Sequence, residues 1–214
     1  MKKIIISLPN HDDTTRYLSE QSKLLIRKIE ETGRAKFTPV EGDEFVKTIF
    51  ESRLKSTNFD FIFLNSHGLF DSIIGNDGNF VVKAGQNEAI FKEKIVYARS
   101  CACASKLGKL AVEKGCTAFI GYNNFYMFLF DPNYMAKPEK DELARPFFET
   151  TNLIPESIIK GSSVGEALEK SRNKYEKEIA RFETQNTPEA PTIVALLKYN
   201  LKIQTALGNT NAKI

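Results

Sequence analysis

The sequence lacks the features of a membrane-spanning or nucleic-acid-binding protein. Its apolar runs, such as Phe59 to Leu64, are far too short to cross a bilayer. Neither sign of charge dominates, because 30 basic residues stand against 27 acidic ones and leave a net charge of +3. So balanced a chain has no strong field to attract nucleic acid or an anionic membrane. We therefore expect no nucleic-acid or membrane partner.

Cysteine is scarce, with three residues in the chain. An odd number without framework spacing does not indicate a disulfide-stabilised secreted protein and fits a reducing cytoplasm better. The charged start leads into an apolar run that stops at Pro9, which is too short for a secretory signal. We interpret this run as a first strand and expect a cytoplasmic protein.

The length of the chain and its content of hydrophobic and charged residues indicate a globular protein. A chain of 214 residues with 42% hydrophobic and 27% charged residues can bury a substantial core. No internal repeat or low-complexity linker divides it. We predict a single domain over residues 1–214.

Strand and helix patterns alternate along the first half of the chain. Strand patterns cover 3–8, 36–40, 59–64, 95–99 and 118–121, with a small hairpin around 80–82. Helical spacing covers 18–33, 43–55, 106–114, 140–148, 164–182 and 192–202, and the aromatic segment 122–134 is expected to be a loop or a hairpin. Such alternation predicts an α/β fold with a mostly parallel sheet and helices on both faces.

The stretch from Ile95 to Ser105 reads as a strand, a tight turn and the approach to a helix, with Cys101 just beyond the strand. Ligands and chemistry in such sheets lie beyond the carboxyl ends of the strands. The start of the following helix would favour a thiolate at Cys101. Cys101 is therefore a candidate nucleophile.

A second strand end carries His67 and Gly68, and His11 is the only other histidine of the chain. If the two strands are neighbours, the His67 imidazole would lower the pKa of the Cys101 thiol and later protonate a leaving group. The backbone N–H groups of Gly68 and Cys101 could bind an oxyanion. The alternative is a surface histidine on a turn and a small buried cysteine.

The segments Asn65-Ser66-His67-Gly68 and Ser100-Cys101-Ala102, with Ser105 after them, resemble the caspase-like (clan CD) cysteine peptidases, in particular bacterial CHAT-domain and clostripain-like members. The resemblance implies a caspase-like three-layer sandwich. It further implies a cysteine endopeptidase with no cofactor, acting on protein or peptide substrates. His67 would be the base and acid. Such relatives work in defence or regulated proteolysis with a partner protein.

The chain departs from caspases themselves. The signature Gln-Ala-Cys-x-Gly is replaced by Arg99-Ser100-Cys101-Ala102-Cys103, and His67 lies 34 residues before Cys101, against roughly 50 in caspases. Cys103 is a second candidate nucleophile. We favour Cys101, because it directly follows the strand, whereas Cys103 would turn away within the first helical turn.

Two arginines are candidates for substrate binding. In the resembling families, the residue two before the nucleophile lines the pocket for the residue preceding the cut, and here it is Arg99. Arg16 is placed like an arginine that helps caspases to bind aspartate. Paired guanidinium groups suit a carboxylate, which gives the hypothesis of cleavage after acidic residues. The alternative is that Arg99 pairs with an internal acid and Arg16 is solvated on a helix.

The sequence offers three other possible functions. Zinc binding by Cys101, Cys103 and His67 lacks the usual spacing and a fourth ligand, so no metal is expected. A catalytically inactive caspase-like module could bind a partner through the aromatic segment 122–130. A flavodoxin-like binding domain would need a phosphate-binding loop after the first strand, where the sequence is too acidic.

Overall fold

The computed structural model describes every residue from Met1 to Ile214. The strands are β1 (Lys2–Leu8), β2 (Ala35–Glu41), β3 (Phe61–Asn65), β4 (Gly68–Leu69), β5 (Ser72–Ile74), β6 (Phe80–Lys83), β7 (Ile95–Arg99), β8 (Ala118–Tyr122) and β9 (Gln204–Gly208). The α-helices are α1 (Asp13–Glu30), α2 (Lys47–Ser56), α3 (Leu107–Glu113), α4 (Arg145–Ile159), α5 (Val164–Glu183) and α6 (Ala190–Ile203). None of these helices combines the length and apolar character needed to cross a bilayer.

Six strands form one sheet in the order β2-β1-β3-β7-β8-β9. All neighbours are parallel except β8 and β9, which run antiparallel. The predicted mostly parallel α/β sheet is therefore confirmed. The edge strand β9 follows the last predicted helix and was not predicted from the sequence. A second sheet of β4, β5 and β6 extends the predicted hairpin by one short strand.

Alternate residues of each central strand pack on opposite faces of the six-stranded sheet, as the period of a strand requires. In β1, Ile4 and Ile6 pack with apolar residues of α1, α4, α5 and α6. Ile5 packs on the other face with residues of α2, α3 and the small sheet. The result is a three-layer arrangement with a buried sheet, consistent with the runs of apolar residues in the strands.

Two helices begin later than their sequence pattern predicts. Residues 42–44 form a separate 3-10 turn that starts at Gly42, whose φ is 47°, so α2 begins at Lys47 rather than near residue 43. Residues 138–140 form another 3-10 turn, and α4 begins at Arg145 with a proline in its first turn. That helix runs on to Ile159 because its buried apolar face continues past residue 148.

Candidate active site

The register of β3 and β7 brings the two candidate catalytic residues to the same edge of the sheet. Phe61 pairs with Ile95, and the pairing continues to Asn65 with Arg99, so each residue of β3 faces the one 34 positions later. The same spacing separates His67 from Cys101. Both residues therefore stand two positions beyond the last paired residues of neighbouring parallel strands.

Gly68 lies in direct contact with the turn that carries Cys101. A Cβ atom built on Gly68 would stand 2.6 Å from the Cys101 carbonyl oxygen and 3.0 Å from the Ser100 Cβ. Distances this short exclude a side chain unless the backbone shifts. The absence of a Cβ at position 68 is thus what lets the two strand ends approach closely.

The N–H groups of Gly68 and Cys101 take no part in the hydrogen bonds of the small sheet. The Ile74 N–H donates to the His67 carbonyl at 3.0 Å, which makes Gly68 and Ile73 a non-hydrogen-bonded pair of the β4–β5 ladder. The Gly68 N–H therefore points away from β5. The Cys101 N–H donates to no protein acceptor. This arrangement is compatible with the predicted oxyanion-binding pair.

The turn after β7 is irregular and strained. Ala102, which follows Cys101, has a φ of 51°, a conformation that is uncommon for a residue with a side chain. Its N–H donates to the Asn124 carbonyl at 2.9 Å, which helps to hold the turn. Helix α3 begins only at Leu107 and is seven residues long. It begins too far from Cys101 to supply the expected stabilisation of a thiolate, because that effect falls off within one turn.

The Cys101 side chain is partly exposed, and its sulfur lies 3.7 Å from the Tyr126 carbonyl oxygen. Burial raises the pKa of the Cys101 thiol above its usual value. The prediction that His67 lowers the pKa of this thiol is therefore wrong, because burial sets the direction of the shift. The Cys101 thiol is therefore neutral near pH 7, and it would need a base to take its proton before it could act as a nucleophile.

Cys103 is fully buried, and burial raises the pKa of its thiol to about 12. Its sulfur lies 3.5 Å from the Ser100 carbonyl oxygen, inside the turn. A buried neutral thiol is a poor nucleophile. Of the two cysteines, Cys101 is therefore the one that a substrate could reach. We predicted Cys103 within the first turn of a helix, but it lies in the turn before α3.

His67 has a partner that sequence reasoning did not assign to the site. Its Nε2 lies 2.6 Å from Oδ2 of Asp12, and both side chains are about two-fifths exposed. Asp12 follows β1, which is the neighbour of β3, so the loop after β1 reaches the same sheet edge as His67. If the carboxylate accepts from Nε2–H, the neutral ring keeps Nδ1 as an acceptor for the thiol proton.

Asp12 is also the N-cap of α1. Its Oδ1 accepts from the Thr15 N–H at 2.8 Å, and the Thr15 side chain completes a capping box. Burial opposes ionisation of Asp12, but the hydrogen bonds from Thr15 and His67 outweigh it and lower its pKa to about 2. The sequence pattern assigns Asp12 no role in the candidate active site. Its position beyond a strand next to β3 was the signal for a second role.

Arg99 lies inside the protein rather than in an open pocket. Its side chain is fully buried, and all its N–H groups donate to neutral acceptors. These acceptors are the side chains of Asn65, Ser22, Thr151 and Asn152. The guanidinium also packs over the Phe63 and Phe148 rings at 5.2 and 4.9 Å from their centroids. This environment gives no support to a substrate-binding role.

Arg16 lies on the first turn of α1 and pairs with Asp13 at 2.7 Å on the protein surface. The structure does not bring Arg16 and Arg99 together around a common ligand. The arrangement matches the solvated helical arginine that was the alternative interpretation of Arg16.

Exposed apolar side chains flank the Cys101 turn on both sides. Leu69 and Phe70 belong to the chain just after Gly68, and Phe125 and Met127 belong to the loop after β8. The Phe70 carbonyl accepts from the Lys106 N–H at 3.1 Å, which attaches the first pair to the turn. Exposed apolar side chains thus belong to both chain segments that contact the Cys101 turn.

Neither a scan against models of protein families nor a search of curated proteins finds a match to this chain.

Proposed function

We propose that this protein is a caspase-like cysteine endopeptidase in which Cys101 is the nucleophile and His67 the general base and acid. The observation that supports this most directly is the parallel register of β3 and β7, since His67 and Cys101 each follow their strand by two residues at the same edge of the sheet. The packing of Gly68 on the Cys101 backbone and the unpaired Cys101 N–H are what such a site requires.

In the proposed reaction, the Cys101 sulfur attacks the scissile carbonyl carbon while His67 Nδ1 takes the thiol proton. The carbonyl oxygen becomes an oxyanion that accepts from the N–H groups of Gly68 and Cys101. His67 then gives its proton to the departing amine as the C–N bond breaks, which leaves a thioester. Water attacks the thioester, His67 takes the water proton, and the thiol leaves with that proton. Asp12 holds the His67 ring and stabilises its charged form.

The proposal does not include a preference for acidic residues. That hypothesis relied on Arg99 and Arg16, whose side chains are respectively buried and paired with Asp13. The exposed Leu69, Phe70, Phe125 and Met127 favour contacts with apolar side chains of a peptide instead.

The test is cleavage of a mixed panel of fluorogenic peptides that carry acidic, basic, apolar or small residues before the cut. We expect turnover that Cys101→Ala abolishes and His67→Ala lowers at least about 100-fold. Cys103→Ala is the matched control and should keep most of the activity, since it removes a buried sulfur from the same turn. A peptide chloromethyl ketone should alkylate the Cys101 sulfur with loss of chloride, as peptide mapping by mass spectrometry would show.

The rival is an inactive module that binds a partner through the apolar side chains around Cys101. The raised pKa of Cys101 is the observation in its favour. Absence of turnover across the panel, together with no alkylation of Cys101 by any peptide chloromethyl ketone, would reject the peptidase. Activity that survives in Cys101→Ala would reject the assigned nucleophile.

A further inference from the structure

We propose that His11, Asp12 and His67 form a binding site for a divalent transition-metal ion of the Zn²⁺ type. One possible ligand atom from each residue lies within 4.8 Å of those of the other two. Two imidazoles and one carboxylate form a ligand set that zinc accepts, with water in the fourth position. Inhibition of the peptidase by a bound ion would depend on the proposed function, whereas the metal site itself does not.

Two of the three distances between the possible ligand atoms are close to those around a coordinated ion. Oδ2 of Asp12 lies 2.6 Å from Nε2 of His67 and 3.7 Å from Nε2 of His11. Zinc–ligand bonds of about 2.0–2.2 Å place tetrahedral ligand atoms about 3.3 Å apart. Each of these two pairs therefore needs a shift of less than about 1 Å. Rotations of partly exposed side chains can supply it, since the two histidine rings already stand edge to face at 5.4 Å.

Hydrogen bonds from Thr15 fix the orientation of the Asp12 carboxylate. Oδ1 of Asp12 is engaged by Thr15, through the N–H and the hydroxyl, each at 2.8 Å. This leaves Oδ2 directed at the two histidines. A carboxylate oriented by hydrogen bonds on its other oxygen is a typical outer-shell feature of metal sites. The cluster stands at the open edge of the sheet, where an ion can enter from solvent.

An ion at this site would inhibit the proposed peptidase reversibly. Metal bonded to Nε2 keeps the neutral ring protonated on Nδ1. Nδ1 is then a donor and cannot take the proton of the Cys101 thiol. The ion would also replace His67 as the partner of Asp12. The metal-bound protein therefore lacks a general base without any change of fold.

Direct binding tests the site independently of activity. Zn²⁺ is titrated against a chromophoric chelator with the wild-type protein and with Cys101→Ala, and Co²⁺ is followed by its visible absorption. We expect one ion per chain and equal affinity in the two proteins, because the thiol is not a ligand. His11→Ala should weaken Zn²⁺ binding at least about 10-fold. Asp13→Asn, an exposed neighbour outside the cluster, is the matched control and should bind like the wild type.

The outcomes separate the two proposals. Equal Zn²⁺ affinity in His11→Ala and the wild type would overturn the metal site and leave the peptidase untouched. Loss of affinity in Cys101→Ala would also overturn it, by assigning the ion to a thiol. Zn²⁺ binding that requires His11 in a protein without peptidase activity would support the metal site and reject the proposed function. If the protein has both peptidase activity and the metal site, the Zn²⁺ concentration that inhibits the peptidase should be higher for His11→Ala than for the wild type. Mg²⁺ should have no effect on the activity.

Discussion

At the scale of single residues, the surroundings of a side chain decide its role more than its type does. Arg99 and Arg16 have the same chemistry, but one lies inside the protein with five hydrogen bonds to neutral side chains and the other pairs with Asp13 at the surface. A buried guanidinium is tolerated only when its donors are satisfied. Arg99 therefore acts as a structural connection between β7 and its neighbours.

We expect Arg99→Ala to lower the free energy of unfolding by about 3 kcal/mol, because it leaves a cavity and unpaired polar groups around it. Arg99→Lys should cost less, since an ammonium keeps the charge and some of the hydrogen bonds. Urea unfolding measures both, with the surface variant Arg16→Ala as a control that changes stability by less than about 0.5 kcal/mol. A fully stable Arg99→Lys protein that loses only its acidic-peptide cleavage would contradict this structural role.

At the scale of elements, the loop between β1 and α1 supplies a residue that both caps the helix and contacts the His67 side chain. Asp12 ends the loop as the N-cap of α1 and uses its two carboxylate oxygens for different partners. Because β1 lies beside β3, the helix start is fixed against the strand end that carries His67. The cap thus holds the orientation of the imidazole as well as the first turn of the helix.

Asp12→Asn should separate these two roles, since asparagine caps a helix about as well as aspartate but has no charge. We expect a loss of about 1 kcal/mol of stability, because the low pKa of Asp12 means that its ionised form stabilises the fold, and a kcat lowered about 10-fold to 100-fold, with KM nearly unchanged. Asp12→Ala should lose about 1 kcal/mol of stability in addition. Full activity of Asp12→Asn on the best peptide of the panel would show that His67 needs no charged partner.

At the scale of the whole molecule, the sheet is covered on both faces, and ion pairs join the helices over one of them. Glu156 on α4 lies 2.9 Å from Lys28 on α1 and 2.9 Å from Lys160. Burial opposes ionisation of Glu156, but the two lysines outweigh it and lower its pKa. The ion pair between Glu156 and Lys28 therefore connects two helices of the layer that packs against β1 and β3.

This lowered pKa gives a pH dependence of stability. The stabilisation by Glu156 is complete above its usual pKa of 4.5 and is lost as the pH falls through its lower folded value. Glu156→Gln should therefore unfold more easily than the wild type at pH 7, by about 1 kcal/mol, and equally at about pH 2. Glu142→Gln, at an exposed ion pair, is the control. A difference between Glu156→Gln and the wild type that persists undiminished at low pH would contradict the ionic origin.

The sequence by itself determined the alternation of strands and helices and the identity of the two strand ends that carry His67 and Cys101. It could do so because apolar periodicity and turn residues are local signals. It did not determine the pairing of β9 with β8, the separate 3-10 turns before α2 and α4, or the raised pKa of Cys101.

The tertiary structure alone decided the burial of Arg99 and the meeting of His11, Asp12 and His67. Both depend on which strands are neighbours and on what the helices cover, and these relations join residues more than fifty positions apart. A short-range sequence pattern cannot predict these relations. The free energy of a charge or a thiol is set by the atoms packed around it, and these come from distant parts of the chain.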